Sequence, residues 1–184
     1  TTQHQIIGVK TIDNVQAIYV DTPGMNQSSK KALNRLILRS AKSAIYDVEV
    51  IIFMIDVRKW TDEDELLLKQ IKNTEVPVIL ALNKVDLVKD KTKLLPLLKE
   101  LSQKLLFKDI IPISAQKDIN ITELEKVVFS CLPEQEYVFP EDQLTNQDEK
   151  FIISEVIREK IMRVTGQEIP YGVKVIIESS EIKN

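Results

Sequence analysis

The chain has 184 residues, of which 43% are apolar and 29% charged, enough for one full α/β domain, part of another and ample core. Its net charge of −3 excludes a generally basic nucleic-acid coat, so any RNA contact has to use a local patch. A single cysteine, Cys131, excludes an internal disulfide framework and fits a reducing compartment, and no run of about 18 apolar residues is present, so the reading is a soluble, cytoplasmic protein.

Ile6–Thr11 and Val15–Val20 are apolar-rich runs separated by Asp13-Asn14, a turn-forming pair, which predicts a β-hairpin. The second run leads directly into Asp21-Thr22-Pro23-Gly24, an acid at a strand end followed by a tight turn. Leu33, Leu36, Ile37, Ala41 and Ala44 mark the apolar face of a helix over Ser28–Ser43. Lys31, Arg35, Arg39 and Lys42 form a basic stripe on it, which reads as a solvated face rather than an RNA contact.

Val48–Val57 predicts the next buried strand. Thr61 with Asp64 three residues later resembles an N-cap with an acidic first turn, opening a helix over Asp62–Lys72. Pro77 introduces a continuous apolar run, Val78–Leu82, of the kind buried on both faces of a parallel sheet. It stops abruptly in Asn83-Lys84-Val85-Asp86. Ligands of open α/β sheets bind beyond the carboxyl ends of the strands, so an Asn, a Lys and an Asp placed there suit a reader of a nucleobase.

Lys91–Leu106 predicts a Leu-rich amphipathic helix that tolerates Pro96 only in its first turn. Ile110–Ile113 is a short strand ending in Ser114-Ala115-Gln116, and Ile121–Leu132 is a helix stopped by Pro133, with Cys131 expected in its core. Glu134–Asp148 is polar and reads as a linker. Phe151–Val164 predicts an amphipathic helix and Tyr171–Glu178 a strand.

Three short words thus stand at three strand ends: Asp21-Thr-Pro-Gly24, Asn83-Lys-Val-Asp86 and Ser114-Ala-Gln116. The intervals between them hold whole crossovers of helix and strand. Their order and spacing resemble those of the translation-factor-related GTPases. The narrower resemblance is to the Era-like GTPases, in which a G domain is joined to a type II KH RNA-binding domain. It is carried by Ala17-Ile-Tyr-Val-Asp-Thr-Pro-Gly24, Pro77-Val-Ile-Leu-Ala-Leu-Asn-Lys-Val-Asp86, Phe139-Pro-Glu-Asp142, Glu155-Val-Ile-Arg-Glu-Lys160 and Glu168-Ile-Pro-Tyr171, and it runs essentially from end to end.

The resemblance implies the following roles. The Asp86 carboxylate accepts two hydrogen bonds from the guanine N1 and N2 edge, the Lys84 stem lies over the base, and Asn83 ties neighbouring loops together. Ser114, Ala115 and Gln116 complete the guanine site, with the Ala115 N–H on guanine O6. Gly24 offers its N–H to the γ-phosphate, and Asp21 with Thr2 (preferred to Thr1) holds Mg²⁺. His4 nearby reads as a switch-loop surface residue. Met25 stands where many GTPases carry the Gln that orients water, so the catalytic group is unassigned and slow intrinsic turnover is expected.

GTP or GDP and Mg²⁺ are therefore the expected cofactors, and small-subunit ribosomal RNA and the small ribosomal subunit the expected partners. A monomer is expected, with peripheral association at the inner face of the cell membrane left open. The fold class implied is α/β: a P-loop-NTPase-type G domain over 1–133, a linker over 134–148, and the first helix and strand of an α+β KH domain over 149–184.

Two family features are missing from these residues. Four glycines, Gly8, Gly24, Gly166 and Gly172, cannot supply a Gly-x-x-x-x-Gly-Lys-Ser/Thr phosphate loop, and no Gly-x-x-Gly is present. The resemblance places the first before Thr1 and the second after Asn184, so truncation is the expectation. The strand leading into the phosphate loop would lie between the strands ending at Asp21 and Asp56. Without it, unpaired backbone groups cost roughly 1–3 kcal/mol each, so the segment is expected not to fold stably alone. Two other readings stay open: an inactive, nucleotide-independent fragment or scaffold, and another Era-like GTPase without a KH domain.

Overall fold

The computed structural model describes residues 7–20, 48–145, 147–164 and 175–177. The helix expected over Ser28–Ser43 and the expected site residues Thr2, Asp21, Gly24 and Met25 lie outside them. The described residues group into two compact units, 7–20 with those from 138 onward, and 48–137.

In the first unit, β1 (Ile7–Ile12) and β2 (Val15–Val20) pair antiparallel from Ile7 opposite Val20 to Ile12 opposite Val15. The turn between them is the expected Asp13-Asn14, and Asp13 takes a left-handed φ of 52°, a conformation that Asp tolerates better than most residues. Val9 and Ala17 point inward and are buried.

Although the described residues of 134–148 form no helix and no regular strand, they are tied down. Val9 N–H donates to the Leu144 carbonyl at 2.8 Å, Gly8 and Thr145 form an antiparallel bridge, and Thr145 Oγ1 donates to the Ile7 carbonyl at 2.7 Å. Gln16 does the most. Its Oε1 accepts from both Val138 N–H and Phe139 N–H, each at 3.0 Å. Its Nε2 donates to the Phe139 carbonyl at 2.9 Å and to Thr11 Oγ1 at 3.1 Å. Gln16→Ala is therefore expected to cost about 1–3 kcal/mol of local stability, because two amides lose their acceptor. Hydrogen exchange at Val138 and Phe139 checks this: both amides should lose protection while those of 78–82 keep theirs.

The helix after this segment, Glu149–Val164, starts two residues before the expected Phe151. Asp148 Oδ1 accepts from Phe151 N–H at 2.7 Å, which caps the earlier turn. Of the strand expected over Tyr171–Glu178, only 175–177 are described, and they carry no strand pairing.

The second unit is a three-stranded parallel sheet in the order β3 (Ile51–Asp56), β4 (Val78–Asn83), β5 (Asp109–Pro112). It and the hairpin are separate sheets, and β3 pairs along one edge only among the described residues. The central strand β4 is buried from Val78 through Leu82, as its unbroken apolar run requires. Val78, Leu80 and Leu82 join Phe53, Ile55, Leu68, Ile71 and Leu101 in one core cluster, while the alternate Ile79 and Ala81 face the other side.

Helix α1 (Asp62–Ile71) begins at the expected N-cap, which closes into a full capping box: Asp64 N–H donates to Thr61 Oγ1, and Thr61 N–H donates to Asp64 Oδ2. Beside it, Trp60 meets Phe53 edge to face at 6.1 Å and donates its indole N–H to Glu65, while Lys104 Nζ lies 4.7 Å above its ring. The long helix expected over Lys91–Leu106 is shorter. A 3₁₀ turn at Lys91–Lys93, opened by Asp90 accepting from Thr92 N–H, precedes α2 (Leu94–Ser102). Pro96 falls in the first turn of α2, where its missing N–H has no intrahelical partner to lose.

Helix α3 (Ile121–Phe129) ends three residues short of the expected Leu132. Ser130 Oγ bonds back to the Val127 carbonyl at 2.7 Å, and the chain leaves in turns. Cys131 therefore lies beyond the helix and is half-buried rather than in the core.

Candidate functional site

Because the strands are parallel, β3, β4 and β5 all deliver their carboxyl ends to one edge of the sheet. The register sets Asp56 beside Asn83 and Leu82 beside Pro112. The ladder continues one step further: Val57 N–H donates to the Asn83 carbonyl, Ile113 N–H to the Leu82 carbonyl and Val85 N–H to the Ile113 carbonyl. Val57, Val85 and Ile113 are buried, so the loops beyond the strands leave from a rigid base.

Asn83 ends β4 and joins two of these loops. Its Oδ1 accepts from Lys84 N–H at 2.8 Å and from Ala115 N–H at 3.0 Å. Its Nδ2 donates to Met54 Sδ at 3.4 Å. Lys84 takes a left-handed φ of 69°, unusual for a residue with a Cβ, and the bond to its amide helps to hold it there. That turn sends the chain into a single 3₁₀ turn, Val85–Leu87, carrying Asp86. Among the described residues the half-buried Asp86 carboxylate makes no hydrogen bond, so both its oxygens are available to accept from a ligand.

After β5, Ser114 is fully buried and closes a tight loop. Ser114 N–H and the Ile119 carbonyl pair, Ile119 N–H returns to the Ser114 carbonyl, and Ser114 Oγ accepts from Lys117 N–H at 3.2 Å. Left-handed Asp118 and Asn120 complete it, and Asn120 Nδ2 donates to the Pro112 carbonyl at 2.7 Å. The structure brings Asn83, Lys84, Asp86, Ser114, Ala115 and Gln116 to one end of the sheet. The Ala115 N–H, expected to serve guanine O6, donates here to Asn83 Oδ1. Gln116 is exposed.

Sequence reasoning left out Asp56 and Arg58. The Asp56 side chain is only 12% exposed. It accepts from Arg58 Nε at 2.9 Å, from an Arg58 terminal nitrogen at 2.7 Å, from Arg58 N–H at 3.0 Å and from Lys84 Nζ at 3.0 Å. The Arg58 guanidinium, with Lys84 behind it, holds the Asp56 carboxyl far below the usual carboxylate range despite its burial. An acid ending an apolar strand, as at Asp21, was the available signal.

This depression has a sign. The unfolded chain binds the proton at the ordinary carboxylate pKa and the folded chain only well below it. The stabilisation from Asp56 is thus complete above the ordinary value and fades as pH falls through it. Asp56→Asn should flatten the acid limb of the stability profile, read by denaturant unfolding at pH 7, 5 and 3; an unchanged slope would contradict it.

Among the described residues no group of three or more His, Cys, Asp or Glu could hold a metal ion, and the expected Mg²⁺ ligands Thr2 and Asp21 lie outside them. No helix among the described residues is long and apolar enough to cross a membrane.

A parallel sheet with polar loops at two adjacent strand ends is the arrangement of a GTPase-type α/β fold. The family model described as 50S ribosome-binding GTPase matches residues 1–84. Within that class the chain is a homologue of the Era GTPases along its whole length. It is 50% identical over 182 residues to GTPase Era of Actinobacillus pleuropneumoniae (serotype 5b, strain L20), covering 99% of this chain and 60% of that protein. GTPase Era of Glaesserella parasuis is 52% identical over 178 residues, covering 97% and 59%. The chain thus spans about 60% of the length of the relatives it matches. Two solved structures superpose on it with 92% coverage of this chain and 58% of theirs. One is Era in complex with MgGDPNP and nucleotides 1506–1542 of 16S ribosomal RNA (38% identical, TM-score 0.79). The other is a variant of Aquifex aeolicus Era bound to GDP·AlF₄⁻ (37% identical, TM-score 0.78).

Proposed function

We propose that this chain carries the guanine-reading part of a GTP-binding, GTP-hydrolysing switch that binds small-subunit ribosomal RNA and acts in assembly of the small ribosomal subunit. One observation carries the reading: Asn83 Oδ1 ties the loop bearing Asp86 to the loop bearing Ala115, leaving the Asp86 carboxylate with both oxygens free of hydrogen bonds from described residues. An unshared carboxylate is matched to the paired N1–H and N2–H donors of guanine, which adenine lacks.

Era relatives bound to MgGDPNP, to GDP·AlF₄⁻ and to 16S ribosomal RNA support the cofactors GTP or GDP and Mg²⁺, and the RNA partner. Asp21 and Thr2 would hold the ion and Gly24 a phosphate oxygen, and the ion when bound neutralises charge on the β- and γ-phosphates. The domain division at 133 and 148, a monomer and a cytoplasmic location complete the proposal. Titration of the intact protein with fluorescent GDP, displaced by GDP or ADP, tests it. Displacement by GDP alone is expected. Equal displacement by ADP would overturn the guanine reading, and no binding would overturn it in favour of the nucleotide-independent scaffold.

A further inference from the structure

The ends of β3 and β4 carry mirrored triplets, Asp56-Val57-Arg58 and Lys84-Val85-Asp86. Both valines are buried, and the four charged residues flank them at the sheet's carboxyl edge. The register that sets Asp56 beside Asn83 brings the Lys84 ammonium onto Asp56 Oδ2 at 3.0 Å. Arg58 grips the same carboxylate through both a side-chain pair and its backbone N–H, and its charge is also attracted by Asp86. Signs therefore alternate across the edge, with two acids matched by two bases.

Lys84 alone is poorly determined: half-exposed, on a flexible four-carbon stem and on a left-handed backbone. Asn83 fixes its amide, and only Asp56 fixes its far end among the described residues. Two anchors on one side chain define the course of the stem between them. We propose that Asp56, locked by Arg58, is a positioning residue for guanine recognition: it fixes the direction of the Lys84 stem beside Asn83 and Asp86. The inference rests on the guanine-reading function proposed above. Asp56 acts through Lys84, and Arg58 acts through Asp56. By freezing the stem before ligand arrives, the pair removes part of the ordering cost of binding.

A double-mutant cycle in the intact protein separates this from a merely structural role. Lys84→Met keeps the stem and removes the ammonium. Asp56→Asn and Lys84→Met should each weaken fluorescent GDP binding about tenfold, and together also about tenfold, because both break one contact. A combined loss of about 100-fold, or wild-type affinity in Asp56→Asn, would overturn the proposal. Should Asp56→Asn fail to melt cooperatively, ¹³C titration of the Asp56 carboxyl in wild type and Lys84→Met decides. Its midpoint should rise in Lys84→Met, and an unchanged midpoint would overturn the contact. Failure of the underlying reading shows separately, as wild-type protein that does not prefer GDP to ADP.

Discussion

Asp86→Asn is expected to weaken GDP binding by about 100-fold or more and to create binding of xanthosine diphosphate. The carboxylate offers two acceptors to two donors on one edge of guanine, and hydrogen bonds to a charged group contribute about 1.5–3 kcal/mol each. A carboxamide presents one acceptor and one donor, so it leaves one guanine donor facing an N–H. Losing roughly 3 kcal/mol is a little over a hundredfold in affinity. Xanthine carries a carbonyl oxygen where guanine carries the amino group, and the new Asn N–H can donate to it. The Asp86 carboxylate has no hydrogen bond from a described residue that the substitution would break, so the fold should be spared. Competition titrations with GDP, XDP and ADP, beside a thermal melt, check both halves. Loss of GDP binding without gain of XDP would place the effect in the fold and not in base recognition.

Asn83→Ala is expected to have the second largest effect, acting on both stability and binding. Asn83 Oδ1 is the shared acceptor of Lys84 N–H and Ala115 N–H, the side-chain link between the loops after β4 and β5. Without it, the left-handed turn at Lys84 loses one of its restraints and the Ala115 amide its partner. The expected loss is about 1–3 kcal/mol of unfolding free energy. GDP affinity should fall by about 100-fold, because a misplaced site loses more than one contact's worth. Asn83→Asp retains the acceptor and should keep near-native stability, while adding a negative charge beside Asp56 and Asp86. Urea unfolding and GDP titration of both variants separate the two effects: equal destabilisation would mean that the shared oxygen is not what joins the loops.

Features written locally were legible in the sequence. The apolar run of β4 required burial on both faces, Thr61 with Asp64 spelled an N-cap with an acidic first turn, and Asp13-Asn14 marked the hairpin turn. The grouping of Asn83, Lys84, Asp86 and Ser114 at one sheet edge followed from parallel strands ending in polar words. What escaped depends on contacts between distant segments. Gln16 meets Phe139 across 123 positions, and nothing near either residue announces it. Asp56 becomes a site residue only once the register puts it beside Asn83. That the Asn83 tie runs to the Ala115 amide is a distance of 3.0 Å that no spacing rule supplies. Helix ends drifted for a related reason: Asp90, Asp148 and Ser130 offer side-chain partners that decide where the backbone starts and stops helical bonding.

The most direct measurement of the central claim is a ¹H–¹⁵N spectrum of the intact protein titrated with GDP and, separately, with ADP. The loops after β4 and β5 should respond to GDP first, at the amides of Lys84, Asp86 and Ala115 and the Asn83 side-chain amide, at concentrations where ADP moves none of them. Shifts confined to other residues, or equal shifts with ADP, would show that these two loops do not read guanine.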